Sequence, residues 1–207
     1  MTASRRFAVA VDLDDVCGDR LGIISSMLRA EGRTIRHHHP ADWSLREWGV
    51  RDQADYDRLH YAAFVDGRGY RSMTTLPGAV DGLMTLHQQG FLIRVVTGRL
   101  WNSQVVSQAL GDTGCWLADN ALPVDDVAFV SDKTAVKADL YIEDAPHFIT
   151  DLQDAGRQVI VMDTRYNRHL PGTRAASWQD VLRLVPRLLP GAPIADRRPG
   201  GESPACP

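Results

Sequence analysis

Five short apolar runs alternate along the chain with stretches of helical spacing. Residues 7–11 (FAVAV) are apolar without polar alternation, the pattern of a strand buried on both faces, as in a parallel sheet. Comparable runs fall at 91–96, 127–130, 138–142 and 158–162. Between them, apolar residues recur at three- and four-residue spacing. This predicts helices over 21–30 (Leu21, Ile24, Met27, Leu28) and 52–64 (Tyr56, Leu59, His60, Phe64). It predicts further helices over 77–90, 103–110, 148–155 and 178–189, with Gly90 stopping the third of the six. Strands alternating with helices through short turns predict an α/β fold, a doubly wound parallel sheet of about five strands.

The gap between the first two strands breaks this rhythm. It holds two helices, an irregular stretch over 33–51 with Trp43 and Trp48, and a loop over 67–75. Residues 16–74 therefore read as a small helical cap inserted over a core formed by 1–15 and 75–190. The segment 191–207, rich in Pro, Gly and Arg, reads as a disordered tail. Three adjacent histidines, His37, His38 and His39, cannot all face one ion and read as a solvated loop. No internal repeat is visible.

Ligands of an open α/β sheet bind outside the carboxyl ends of its strands. The first four strands end in Asp12 and Asp14, then Thr97, then Lys133, then Asp144. One such polar group is routine; four of these types in series predict a phosphoryl-transfer site. A carboxylate at Asp12 can attack phosphorus and form an aspartyl-phosphate. Asp14 is placed to give a proton to the leaving oxygen and then take one from water. Carboxylates beside a phosphate call for a hard cation, so Mg2+ is implied, held by Asp12, Asp144 and the backbone carbonyl of Asp14. Thr97 would hydrogen-bond a phosphate oxygen, and Lys133 would neutralise charge on the phosphate and on Asp12. Asp15 reads as a cap or loop residue and Cys17 as a small buried filler. Gly98 and Arg99 follow Thr97 and are candidate substrate contacts, as are Trp43 and Trp48, whose rings could stack on a base.

Composition narrows the partners. The formal net charge is −3 with both signs interspersed, which argues against a nucleic-acid polymer or a membrane surface. No apolar run approaches membrane-spanning length, and the stretch after Arg5 and Arg6 is too short for a signal peptide. Cys17, Cys115 and Cys206 have no metal-like spacing, so a reducing, cytoplasmic setting is expected. Composition does not choose between a monomer and a homodimer. Of the 23 basic residues only Lys133 and Lys137 are lysines. A lysine surviving in so arginine-rich a chain marks a place where Arg does not serve.

The ordered set DLDDV, VTGR, SDK and DLYIED resembles the motifs of the haloacid-dehalogenase (HAD) superfamily, from Phe7 to about Trp178. The segments LPGAVDGLMTLHQQGFLIRVVTGR and SDKTAVKADLYIEDAP, with Tyr166-Asn167 leading to Arg174 and Trp178, are similar to its 5′(3′)-deoxyribonucleotidase branch. The resemblance implies a phosphatase acting on a small phosphorylated metabolite, here a nucleoside monophosphate. Three departures stand out. Asp15 occupies a usual Gly position, Thr97-Gly98-Arg99 replaces a Thr-Ser-Pro type of turn, and Glu143 replaces an Asp. The fourth motif offers Asp144 as metal ligand, Glu143 as second choice, and Asp139 at the far end of its strand. The alternative reading is a HAD scaffold without hydrolysis, or a phospho-signalling module without turnover. Asp14 argues against dehalogenation, and the missing Gly-rich loop after the first strand against a dinucleotide enzyme.

Overall fold

The computed structural model describes residues 6–100 and 106–192. The first residues of the helix expected over 103–110, and all but two residues of the expected tail, lie outside the described residues. Six parallel strands form one sheet: β1 (Ala8–Val11), β2 (Leu92–Thr97), β3 (Asp126–Phe129), β4 (Leu140–Glu143), β5 (Val159–Met162) and β6 (Thr173–Ala175). Their spatial order is β3-β2-β1-β4-β5-β6. The chain runs outward from β1 in one direction and, from β4, in the other, so the switch point lies between β1 and β4. Val11 pairs with Ile142 there, and the Asp12 amide donates to the Ile142 carbonyl at 3.1 Å.

Helices cover both sheet faces, which explains strands without polar alternation. On one face Val9, Val11, Ile93, Val95 and Ile142 pack with Leu83 and Leu86 of α4 (Ala79–Gln88). Trp116 of α5 (Val106–Asp119) and Trp178 and Val181 of α7 (Trp178–Leu188) join that cluster. On the other face Ala10, Val96, Tyr141 and Val161 pack with Ile149 and Leu152 of α6 (Pro146–Asp154). The sheet has one strand more than expected. β6 is three residues long, and its central Arg174 spends its guanidinium on the Asp163 and Asn167 side chains and on the carbonyls of Asn167 and Leu170. α5 runs past its expected end because Thr113, Trp116 and Leu117 continue the buried stripe through Gly111 and Gly114.

Between β1 and α4 lies a separate helical layer: α1 (Arg20–Ala30), α2 (Gln53–Tyr61, extended by one wide turn over Ala62–Asp66) and the short α3 (Gly69–Ser72). It has its own hydrophobic cluster around Leu21, Leu28, Trp48, Leu59, Phe64 and Tyr70. The two chain crossings into this layer are paired. Gly18 bridges Thr75 antiparallel, the Asp19 amide donates to Thr74 at 2.9 Å, and the Leu76 amide donates to Cys17 at 2.7 Å. Further ties come from α5, where Asp112 pairs with Arg68 and the Trp116 indole donates to the Met73 carbonyl at 2.5 Å. On the opposite side Arg165 meets Glu47 at 2.7 Å.

α4 rests on α7 through a glycine. A Cβ on buried Gly82 would stand 2.5 Å from the Trp178 ring, whose indole nitrogen donates to Val16 at 2.8 Å. Gly82→Ala should therefore lose about 1–3 kcal/mol of stability by overpacking, more than the ~1 kcal/mol gained in helix propensity. Gly111→Ala, on an exposed stretch of α5 with nothing within 4 Å, should gain up to about 1 kcal/mol. Urea titrations of the two variants should move in opposite directions; a shared direction would refute the packing argument.

Candidate active site

The switch point places acids on adjacent strands. Asp12 follows β1, and Glu143 and Asp144 end β4; one carboxylate oxygen from each lies within 4.8 Å of the others, and all three residues are buried. Lys133, from the turn after β3, is buried among them. Its ammonium donates to Asp12 Oδ1 at 2.7 Å and to Glu143 Oε2 at 2.5 Å, and lies 4.3 Å from the centre of the Phe148 ring. Burial alone would depress the Lys133 ammonium, but the two carboxylates raise it above the ordinary lysine range. Asp12 is pushed up to about 7, chiefly by burial and against the pull of Lys133.

Glu143 is fully engaged. Its other oxygen accepts the amides of Asp144 and Ala145 at 3.1 and 3.0 Å, in the turn that leads into α6. Asp144 keeps one oxygen open: Oδ2 accepts from the Tyr166 hydroxyl, while the buried Oδ1 has no hydrogen-bond partner. Burial, then the charges of Glu143, Asp15 and Asp12, push Asp144 well above the usual carboxylate range. Three buried acids against one ammonium, with an orphaned oxygen among them, form a donor set that fits a hard metal ion. Asp12 and Asp144 could hold such an ion, whereas both Glu143 oxygens are engaged, one by Lys133 and the other by the Asp144 and Ala145 amides. Asp139 lies at the other end of β4, accepting the Ala8 amide at 2.8 Å, too far along the strand to join them.

Thr97 ends β2, fully buried, and its hydroxyl has no partner. Asp14 faces the cavity, and Arg99 takes both its oxygens, at 3.0 and 2.7 Å. Arg99 is itself buried, bonded to Thr113 at 2.9 Å and laid over Tyr70 at 4.3 Å. Its guanidinium thus anchors Asp14, while Arg99, expected as a candidate substrate contact, also lines the cavity. Burial lifts the Asp14 carboxyl, but the Arg99 charge and hydrogen bonds more than reverse this and hold it below the usual range. Gly98 lines the cavity, and a Cβ there would come within 3.0 Å of the Phe148 ring that covers Lys133.

A cavity of about 770 Å3 opens between this sheet edge and the helical layer, bounded by Asp12, Asp14 and Arg99 below and Trp43, Tyr56 and His60 above. Trp43 is on its wall, edge-on to Tyr166 at 5.2 Å. Trp48 is not: it is buried in the helical layer's own cluster, which corrects its reading as a stacking surface. Asp15 has φ 58°, which accounts for the Gly expected there, since Asp is among the few residues that tolerate this region. Its carboxylate holds Arg20 at 2.8 Å and the Leu21 amide at 2.8 Å. Cys17 is buried, donating to the Asp12 carbonyl at 3.2 Å. The three histidines share no site: His37 is 4.0 Å from Glu47 and His38 4.0 Å from Asp19. Sequence reasoning missed Arg20, His60 and Tyr70 in the cavity: His60 sat in a helical period where nothing separates a lining residue from a packing one, Arg20 just ahead of the expected first helix, and Tyr70 in an expected loop.

Comparison with known proteins agrees with this architecture. A curated protein of Chlorobaculum tepidum, named "Putative 5′(3′)-deoxyribonucleotidase", is 36% identical over 179 residues, covering 86% of this chain and 89% of its own. Among solved structures, a HAD family hydrolase from Deinococcus radiodurans R1 superposes with a TM-score of 0.55 at 14% identity, over 88% of this chain and 96% of its own. A haloacid dehalogenase-like hydrolase from Streptococcus pneumoniae gives 0.55 at 14% identity, over 87% and 98%. These likenesses establish the HAD-like α/β fold. Residues 6–189 match the family profile described as 5′ nucleotidase, deoxy (pyrimidine), cytosolic type C. The chain belongs to that family of phosphoric monoester hydrolases.

Proposed function

We propose that this phosphatase is a Mg2+-dependent 5′-nucleotidase working through an aspartyl-phosphate on Asp12, with nucleoside monophosphates, deoxy ones included, as substrates. The observation that carries the chemistry is the Lys133 ammonium held between Asp12 and Glu143 beside two unpartnered buried oxygens, Asp144 Oδ1 and Thr97 Oγ1. An Asp12 oxygen attacks phosphorus, and the bond to the sugar oxygen breaks. Asp14, entering the cycle protonated, gives that oxygen its proton and becomes ionised; it then takes a proton from the water that cleaves the phospho-aspartate, which restores it. The Arg99 fork keeps Asp14 oriented and favours its ionised form, which serves the water-activating half. Thr97 donates to a phosphate oxygen while Lys133 balances charge on the phosphate. Asp12, Asp144 and the Asp14 carbonyl would hold Mg2+, which would supply Lewis-acid charge stabilisation when bound.

The helical layer over residues 16–74 is proposed to act as the cap that sets specificity; its separate cluster and paired stem support this. The family description and the relative's name support a nucleotide, and the cavity is large enough for one. No helix among the described residues is long and apolar enough to cross a membrane. A cytoplasmic enzyme handling a small metabolite fits that and the cytosolic type in the family description.

The primary test is a screen of phosphorylated metabolites with Mg2+, with Asp12→Asn as blank. Nucleoside monophosphates should rank first, chelation should abolish turnover, and the blank should be folded and inactive. Nucleotides ranking no better than sugar phosphates would overturn the substrate reading, and an active Asp12→Asn the mechanism.

The lysines give a sharper test. Lys133→Arg puts a wide planar fork into a slot built for a point charge. It should cost at least roughly a hundredfold in kcat/KM, about 2.7 kcal/mol, the scale of one oxyanion donor. Lys137 is exposed, so Lys137→Arg should be silent. Damage at 137 with 133 unaffected would move the role to Lys137.

Trp43 and Trp48 should separate by readout. Trp43→Ala should raise KM for nucleotides while sparing a small aryl phosphate. Trp48→Ala should act through stability, losing about 3–5 kcal/mol as a core truncation. Steady-state kinetics and urea melts of both variants would check this; a cavity effect from Trp48 with unchanged stability would contradict its placement.

A further inference from the structure

Asp144, one of the two carboxylates placed to hold a metal ion, is gripped from outside its own strand. Tyr166 and Asn167 lie in one short helical turn after β5, Arg165–Asn167, and both are buried. The Asn167 side-chain nitrogen donates to the Asp144 backbone carbonyl at 2.8 Å and to the Met162 carbonyl at 2.8 Å. The Tyr166 hydroxyl donates to Asp144 Oδ2. Neighbouring residues of one turn thus hold the backbone and the side chain of the same aspartate.

The turn is fastened in its own right. The Asn167 side-chain oxygen accepts the Thr164 amide at 3.2 Å and the Arg174 guanidinium at 2.9 Å, and Arg174 also donates to the Asn167 carbonyl at 2.6 Å. The Tyr166 ring is held by other means. It is buried in the hydrophobic cluster of the helical layer, with Leu21, Trp48 and Leu59, although residue 166 belongs to the core. Trp43 of that layer stands edge-on to it at 5.2 Å. A ring in a close-packed cluster does not swing freely, so its hydroxyl stays where the packing puts it.

A carboxylate with both oxygens unpartnered can turn about its Cβ–Cγ bond and offer an ion either oxygen or both. Asp144 lacks that freedom: Oδ2 is engaged by the phenol, and the buried Oδ1 is left without a partner. Partners behind a ligating carboxylate fix its orientation and so tune metal affinity.

We propose that Tyr166 is a positioning residue of the metal site, its hydroxyl holding Asp144 Oδ2 so that Oδ1 is the oxygen offered to the ion. The inference rests on the metal-dependent reading above and adds a residue that touches neither substrate nor ion.

The test is a thermal-shift titration of the metal-free full chain with Mg2+ alone, with Asp144→Asn as the blank for binding elsewhere. Bound metal raises the melting temperature in proportion to the logarithm of its occupancy, so the titration reads affinity without turnover. Tyr166→Phe keeps the ring in its cluster and removes only the hydroxyl. It should weaken Mg2+ binding by about tenfold to a hundredfold, the scale for partners standing behind metal ligands. The Mg2+ concentration for half-maximal phenyl phosphate turnover should rise in step. Tyr166→Met, which fills the same space with a flexible apolar chain, carries the test if Tyr166→Phe does not fold. A merely structural role would lower the melting temperature of the metal-free protein and leave Mg2+ affinity alone. Affinity equal to the wild type's, or tighter, in a folded variant would overturn the role of Tyr166 only. A wild-type chain whose melting temperature responds to Mg2+ no more than that of Asp144→Asn would overturn the metal reading and this inference with it.

Discussion

One ammonium shared by two buried carboxylates governs this molecule. Lys133 holds Asp12 from the end of β1 and Glu143 from the end of β4, the two strands that flank the switch point. Like charges at the ends of adjacent strands repel, and burial removes the water that would screen them. The lysine makes their neighbourhood tolerable, and Glu143 passes the constraint on by holding, with its second oxygen, the Asp144 and Ala145 amides of the turn that leads into α6. Phe148 of α6 covers the lysine in turn, and Gly98 makes room for that ring. Strand ends, helix start and covering ring are thereby fixed relative to one cation. What the lysine leaves unbalanced is the open oxygen of Asp144, and that residue of negative charge points to a metal ion.

A second ionic pair is set beside the first with a different consequence. Arg99 grips Asp14 from within the core, packed on Tyr70 of the helical layer and bonded to Thr113 of α5. Asp12 and Asp14 are two residues apart, yet burial dominates at one and an arginine at the other, so they are driven in opposite directions.

Much of this could be read from the residues. The longer strands announce themselves as apolar runs because the sheet is covered on both faces; inside them the main polar interruption is Arg94 of β2, which pairs with Asp126 at the start of β3. Asp12, Asp14, Thr97, Lys133 and Asp144 could be picked out because each ends a strand, and strand ends converge in this architecture. The sixth strand escaped because its three residues carry an arginine that serves its neighbours. Trp43 and Trp48 looked alike; only packing decides that one walls a cavity and the other fills a core. Glu143 looked like a displaced ligand, whereas its carboxylate reaches both Lys133 and the amides of Asp144 and Ala145. The partner of Arg99 is 85 residues away, and pairings at that range leave no local trace.

The paired stem at Gly18 and Thr75 has a consequence for descent. The helical layer leaves and re-enters the sheet through two backbones already hydrogen-bonded to each other. The fold beneath therefore sees a closed turn, whatever lies beyond it. In such an arrangement, doubling the length of the excursion costs only about 0.6 kcal/mol of closure entropy. Lineages could lengthen, shorten or rewrite that layer while the phosphate chemistry stayed in place, so substrate range is free to drift faster than mechanism.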